Sequence, residues 1–326
     1  LIPNLTIASM ALSALICLAS VLLGFRWPIL LDEPAWRYVM TGYVFLACWV
    51  PVGVVLQPRD FVNAQILYAG IVLMAVGALA YGFAGHTFST PAWDIAAGAR
   101  MTNGPLWPFL LITVACGAIS GFHSLAATGT TVKQITAESD VRRVGYNAMI
   151  LEGALAMLAL VLIGAALPRA EYVNIVYPPL AQNSNPILAF AVAMGYALHH
   201  LARVPTAVGC VIGILVLEGF VVTTLDTSVR LCRYMLEEFW VFLFRHRAPA
   251  VLTHPFANTL LAVGLMLFFA LNSTIMSAWK IFGAGNQLIA ALAMTVVAVW
   301  LLQRLRPCWF SVVPALVMTV TTFATL

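Results

Sequence analysis

Nine apolar runs of about 20 residues follow one another along this chain of 326 residues, and they confine it to a lipid bilayer. They lie at residues 5–24, 35–56, 61–84, 105–122, 144–167, 204–226, 255–271, 281–302 and from 307 onward. Each is of the length that a helix needs to cross a hydrocarbon core of roughly 30 Å. With 62% hydrophobic and 9% charged residues, the chain lies outside the range of soluble globular domains. No polar stretch is long enough to form a soluble domain, so the expectation is an all-α polytopic membrane protein, residues 1–326 forming a single transmembrane domain. The first run has no basic segment before it and no small-residue cleavage site, so it reads as a spanning helix. Apolar sequence reaches the last residue, and the chain is expected to be a fragment of a longer protein.

Charge orients the runs. Cytoplasmic loops carry the excess of Lys and Arg. If the loop around Asp32 is external, the basic residues divide ten to six in favour of the inside, where Arg59, Lys133, Arg142, Arg230, Arg233 and Arg304 then lie. Residues 85–103 and 168–186 become external loops. The short apolar piece at 187–201, followed by Pro205, must not cross, because a crossing would carry the cluster Arg230 to Arg247 outside. Residues 168–203 therefore read as an external loop with a re-entrant or capping helix, and residues 232–254 as a cytoplasmic amphipathic connection. The net charge of +4 gives no sign of a nucleic-acid partner. The six cysteines are scattered through apolar runs without metal-site or redox-pair spacing, and act as small packing residues.

Polar residues inside the runs are the candidates for chemistry. Gly117, Ser120, Gly121, His123 and Ser124 end an apolar helix with residues that favour a break. Unwound backbone at membrane depth is tolerated only inside protein or around a water-filled cavity, which is where transporters bind solutes and ions. His123 is a plausible proton acceptor. Thr223, Asp226 and Thr227 share a helical face beside Thr224, a set suited to a small cation or a proton; the bland alternative pairs Asp226 with Arg230 one turn on. Glu152 and Glu218 are carboxylates within spans, and such groups are functional candidates by default. After the small-residue turn Gly283 to Gly285, the amides of Asn286 and Gln287 can satisfy a solute or another broken helix. His199 and His200 are adjacent, point to different sides of a helix and make a poor metal site. No nucleophile is paired with a base, and no zinc-protease or phosphate-loop motif occurs, so no enzyme is expected.

Several of these runs carry a family likeness. Residues 104–109, 115–124 and 129–134 resemble the signature of the carbon starvation protein A family. So do Gln57-Pro58-Arg59-Asp60-Phe61, Thr223 to Thr227 with Arg230, and Phe282 to Leu288, in order along nearly the whole chain. The resemblance implies a bacterial inner-membrane transporter that takes up peptides or, in some members, pyruvate with a proton. It also implies the inverted-repeat fold of leucine-transporter type shared by the amino acid, polyamine and organocation superfamily. On that mapping the 61–84 run is the fifth core helix, 105–122 the broken sixth, and the 187–201 piece the external cap before the eighth. The family's first broken helix has its own Gly-rich run and histidines, and would precede Leu1.

Together these readings predict a secondary transporter with substrate-binding residues Ser120, Gly121, His123, Ser124, Asn286 and Gln287. Ion or proton coupling would fall to Glu152, Thr223, Thr224, Asp226 and Thr227. The expected partners are a small-molecule substrate, the bilayer and the preceding segment; no cofactor is expected beyond a coupling H+ or Na+. A passive channel, or a non-transporting membrane sensor or scaffold, are the rival readings.

Overall fold

The computed structural model describes residues 3–91, 93–95, 105–178, 184–245, 247–272 and 275–325. Residues 92, 96–103 and 179–183 of the two expected external loops, Gly104 of the family signature and His246 lie outside the described residues. Among the described residues every regular element is helical. In chain order these are α1 (Pro3–Arg26), α2 (Glu33–Trp49), α3 (Leu56–Phe83), α4 (Leu106–Ala118), α5 (Gly121–Ala126) and α6 (Glu138–Ala166). Then follow α7 (Arg169–Val176), α8 (Pro186–Ala202), α9 (Thr206–Leu243), α10 (Pro255–Leu271), α11 (Ile275–Gln303) and α12 (Trp309–Thr325). Among the described residues five helical stretches are long and apolar enough to cross a membrane: Ala8–Arg26, Leu56–Phe83, Glu138–Ala166, Thr206–Leu243 and Phe282–Gln303. Helices α8, α10 and α12 are apolar but shorter, at 17 residues each.

The chain divides into two compact units, Leu1–Pro91 with Gly153–Leu267, and Ala92–Glu152 with Phe268–Leu326. In the first, α8 packs between α3 and α9, with α2 against α9, α7 against α8 and α1 against α3. Its core joins Met74, Leu162, Leu167, Phe190, Met194 and Leu198. Lipid tails are as apolar as these side chains, so helices associate in a membrane through close packing rather than hydrophobic burial. Glycine makes that possible between α8 and α9: a Cβ on Gly209 would lie 2.7 Å from the Cα of Gly195, and one on Gly195 would lie 2.8 Å from the Thr206 carbonyl oxygen.

Helix α8 starts cleanly. Asn185 accepts a hydrogen bond from the Leu188 amide at 3.0 Å while Pro186 occupies the first helical turn. It ends at Arg203, in the left-handed conformation, just before Pro205. Its neighbour α7 runs back along it. The Tyr196 hydroxyl meets both Glu171 carboxylate oxygens at 3.1 Å, and the Asn185 amide donates to the Ile175 carbonyl at 3.0 Å. Helices α7 and α8 thus form an antiparallel hairpin in which α8 is only about 25 Å long.

Sequence punctuation sets the other ends. Pro51 forces Val50 into extended backbone, so α2 stops at Trp49, several residues short of the expected 35–56 run. Helix α3 then begins at Leu56 and carries Pro58 in its first turn, where no intrahelical donor is needed. Helix α9 extends well past the apolar run at 204–226 and reaches Leu243, 38 residues or about 57 Å. Residues 232–243 of the expected amphipathic connection therefore continue this helix. In the second unit α11 packs against α12, α4 and α5, and α12 also touches α4.

Candidate functional site

In the second unit the apolar helix breaks where the glycines and serines suggested. Helix α4 ends at Ala118, Ser120 adopts extended backbone with φ −112° and ψ 128°, and α5 begins at Gly121. A break of this kind leaves amide donors without intrahelical partners. Two groups take them up. Ser120 caps α5 by accepting from the His123 amide at 3.4 Å, and Asn286 Oδ1 on α11 accepts from the Phe122 amide at 2.7 Å. The Ser120 hydroxyl also reaches Asn286 Oδ1 at 3.3 Å.

This contact needs Gly121. A Cβ there would fall 2.3 Å from the Asn286 carbonyl oxygen and 2.8 Å from the Ala290 nitrogen, both backbone atoms of α11 that cannot move aside. Asn286 is 5% exposed and Gln287 1% exposed. The Gln287 amide donates to the Leu111 carbonyl of α4 at 3.4 Å, and its oxygen faces the Thr321 hydroxyl of α12 at 3.5 Å. Both amides of the Asn-Gln pair thus tie the interrupted helix, one before the break and one after it.

Of the other expected site residues, Ser124 donates to the Gly121 carbonyl at 2.7 Å. Beyond it the helical path continues as a π-turn at Ala127–Thr131 and a 3-10 turn at Val132–Gln134. There Thr130 and Thr128 return their hydroxyls to backbone carbonyls one turn back. His123 is different. Its ring is exposed and edge-on to Phe122, with centroids 5.7 Å apart. Glu152 and Glu218 are exposed on α6 and α9 and meet none of the other candidates among the described residues.

The second constellation lies in the first unit. Asp226 is completely buried and forms a two-pronged ion pair with Arg59, from the first turn of α3. Tyr43 of α2 donates its hydroxyl to Asp226 at 3.3 Å and accepts from Arg59. Thr227 is 3.5 Å from the carboxylate. Arg59 also reaches Asp60 at 2.9 Å. The i+4 partner considered from sequence, Arg230, turns instead to the carbonyls of Ala47 and Val50, while Arg233 takes that of Cys48 at 3.1 Å. These carbonyls are the open C-terminal end of α2, where a cation is favoured by both hydrogen bonding and the helix dipole.

Thr223 faces the other way: it accepts from Asn63 of α3 at 2.9 Å and donates to the Gly219 carbonyl at 2.6 Å. Thr224 lines an open cleft between α3 and α9. The four α9 residues read as one cluster therefore divide between two environments, an ion pair at Asp226 and Thr227 and a cleft at Thr223 and Thr224. Sequence reasoning did not assign Arg59, Tyr43 or Asn63 to a site. Its available signal was the charged pair Arg59-Asp60 at the head of an apolar run.

The family model described as "Carbon starvation protein CstA" matches residues 3–183 and 171–325. The peptide transporter CstA of Bacillus subtilis is 27% identical over 309 residues, covering 84% of this chain and 50% of that protein. The peptide transporter CstA of Mycobacterium tuberculosis is 28% identical over 338 residues, covering 86% and 44%. The pyruvate/proton symporter BtsT of Escherichia coli is 28% identical over 351 residues, covering 85% and 48%. The chain thus spans about half the length of the curated relatives it matches. No solved structure matches it. Its several long apolar helices make it a multi-pass membrane protein. Since the family match takes in the broken helix, its Asn286 support and the Arg59–Asp226 pair, the chain belongs to the carbon starvation protein CstA family.

Proposed function

We propose that the chain is part of a secondary transporter of the bacterial inner membrane that takes up a small organic solute, a peptide or a carboxylate such as pyruvate, with a coupled ion. The observation that carries this reading is the interrupted helix at Ser120, an opening of backbone that hydrocarbon does not tolerate unless protein or a water-filled path surrounds it. The names of the relatives, peptide transporter and pyruvate/proton symporter, point the same way. In this reading nine crossings belong to one membrane domain of leucine-transporter type, and the α7–α8 hairpin is re-entrant from outside. The 25 Å length of α8 and the antiparallel course of α7 support that path.

The roles divide by what each side chain already touches. His123, with Ser120, Gly121 and Ser124 around it, faces the solute path, and Asn286 with Gln287 holds the break in shape. Asp226 takes up and releases the coupling proton, with the Tyr43 hydroxyl hydrogen-bonded to it and the Arg59 guanidinium balancing its charged form, and Glu152 is a second titratable group. A proton suits Asp226 better than Na+, because a buried carboxylate already clasped by Arg59 and Tyr43 offers few free oxygens to a metal ion. Each charge moved down the membrane potential supplies about 2.3 kcal/mol per 100 mV.

Proteoliposomes holding the full gene product test this. Uptake of labelled peptide or pyruvate should rise above equilibrium under an imposed proton gradient, and Asp226→Asn should weaken it more than solute exchange. Uptake that never exceeds equilibrium would make the protein a passive pore. Equal loss of both activities would remove Asp226 from coupling.

A further inference from the structure

The cleft that Thr223 and Thr224 line, away from Asp226, holds more than these two hydroxyls. It is an open cleft of about 230 Å³ between α3 and α9. Asp60, Asn63 and Leu67 enter it from one face of α3, at positions i, i+3 and i+7, so it runs about 10 Å along the helix. Its two ends differ in chemistry. Asp60, Asn63, Thr223 and Thr224 make one end polar, and Leu67, Val216 and Phe220 make the other apolar.

At the polar end acceptors outnumber donors. The Asn63 NH2 group donates to the Gly219 carbonyl at 3.2 Å and to Thr223 at 2.9 Å. A carbonyl can only accept, which fixes the orientation of the amide and leaves Asn63 Oδ1, beside Gly219, as an acceptor. Thr223 has given its own proton to Gly219. The Thr224 hydroxyl and Asp60 Oδ2 have no partner among the described residues.

Charge is also short there. Asp60 shares a single guanidinium with Asp226, through Arg59. The next arginines, Arg230 and Arg233, are turned to the carbonyls of α2, and Arg233 also lies 3.5 Å from Glu237.

We propose that this cleft binds the primary ammonium group of an amphipathic molecule. The ammonium sits among Asp60, Asn63 and Thr224, and its apolar substituent lies along Leu67, Val216 and Phe220. An ammonium presents three donors and no acceptor, which complements an acceptor-rich pole. A bare metal ion would leave the apolar half and most of the volume without purpose, and an anion would meet Asp60. The same chemistry occurs in a soluble amine, such as the N-terminus of a short peptide, and in an amine-headed lipid. Occupancy requires no transport, so binding is measured apart from uptake.

The test titrates n-butylammonium into the full gene product in phosphatidylcholine nanodiscs, followed by calorimetry, with a control in which Asp60→Asn and Thr224→Val are combined. Saturable binding at one per chain is expected. Methylammonium should bind about tenfold more weakly, since it lacks the three methylenes that the apolar end of the cleft would partly bury. Asp60→Asn and Thr224→Val should each weaken n-butylammonium by about tenfold or more, with unchanged helix content and elution volume. Absence of saturable binding, binding unchanged in Asp60→Asn, or equal affinity for methylammonium and n-butylammonium would overturn the proposal. Adding phosphatidylethanolamine to the nanodisc separates the sources: competition with n-butylammonium supports the site with a lipid occupant, and none supports it with a soluble amine.

Discussion

The buried pair of Arg59 and Asp226 predicts an asymmetry that can be worked from its contacts. In Arg59→Met the Asp226 carboxylate, with no exposed surface, keeps only the Tyr43 hydroxyl at 3.3 Å and the Thr227 hydroxyl at 3.5 Å. Both are longer than the 2.5–3.0 Å of a strong O–H···O bond. An uncompensated buried charge of this kind costs about 3–5 kcal/mol. The reverse change is milder. In Asp226→Asn the guanidinium keeps Asp60 at 2.9 Å, and its side chain is 18% exposed, so water and the second carboxylate share the burden. The expected loss is about 1–3 kcal/mol. Arg59→Met combined with Asp226→Asn removes both charges and should cost less than the sum of the single changes by about 2 kcal/mol or more. Unfolding by a denaturing detergent in mixed micelles, followed by far-ultraviolet circular dichroism, measures all three. If Arg59→Met is no worse than Asp226→Asn, or if the double variant is additive, the pair is not the compensated buried unit described above.

Further predictions concern the break and the topology. Gly121→Ala should destabilise by about 1–3 kcal/mol, since its Cβ would meet α11 backbone at 2.3 Å. Gly117→Ala, with nothing within 4 Å of the added carbon, should be tolerated; similar melting temperatures for the two would deny the close approach. Asn286→Leu removes the acceptor of the Phe122 amide and should cost about 1–3 kcal/mol, with faster hydrogen exchange at residues 121–124. Unchanged exchange there would show that Asn286 does not hold the break. In a background without other cysteines, Asn174→Cys should react with an impermeant maleimide in intact cells and His254→Cys only after permeabilisation; the opposite pattern would invert the α7–α8 hairpin.

Sequence made the helices legible because each must satisfy its own backbone in lipid, and apolar length alone marks where one can stand. It was less informative about where helices stop. The amphipathic tail of α9 from Cys232 to Leu243 continues the helix beyond the run at 204–226, since charged residues on one face end the apolar run but not the hydrogen-bond ladder. The break at Ser120 was legible because glycines and a capping serine act locally. The partner of Asp226 was not, because Arg59 lies far away in sequence and a nearer arginine stood one turn on.

That error has a physical cause which extends to the whole site. A polar side chain in an apolar helix is called on first by the nearest unsatisfied backbone or charge, and only what is left can serve a solute. Arg230 was within reach of Asp226, but the open carbonyls of Ala47 and Val50 claimed it, and Asp226 took Arg59 instead. Asn286 and Gln287 looked like ligands for a solute, yet the broken helix itself holds their amides. Subtracting such internal claims leaves a short set: the exposed ring of His123 in one unit, and the acceptors of Asp60, Asn63 and Thr224 in the other. Polarity within a span says that a residue has a task, and its neighbours decide whether the task is structural or open to a ligand.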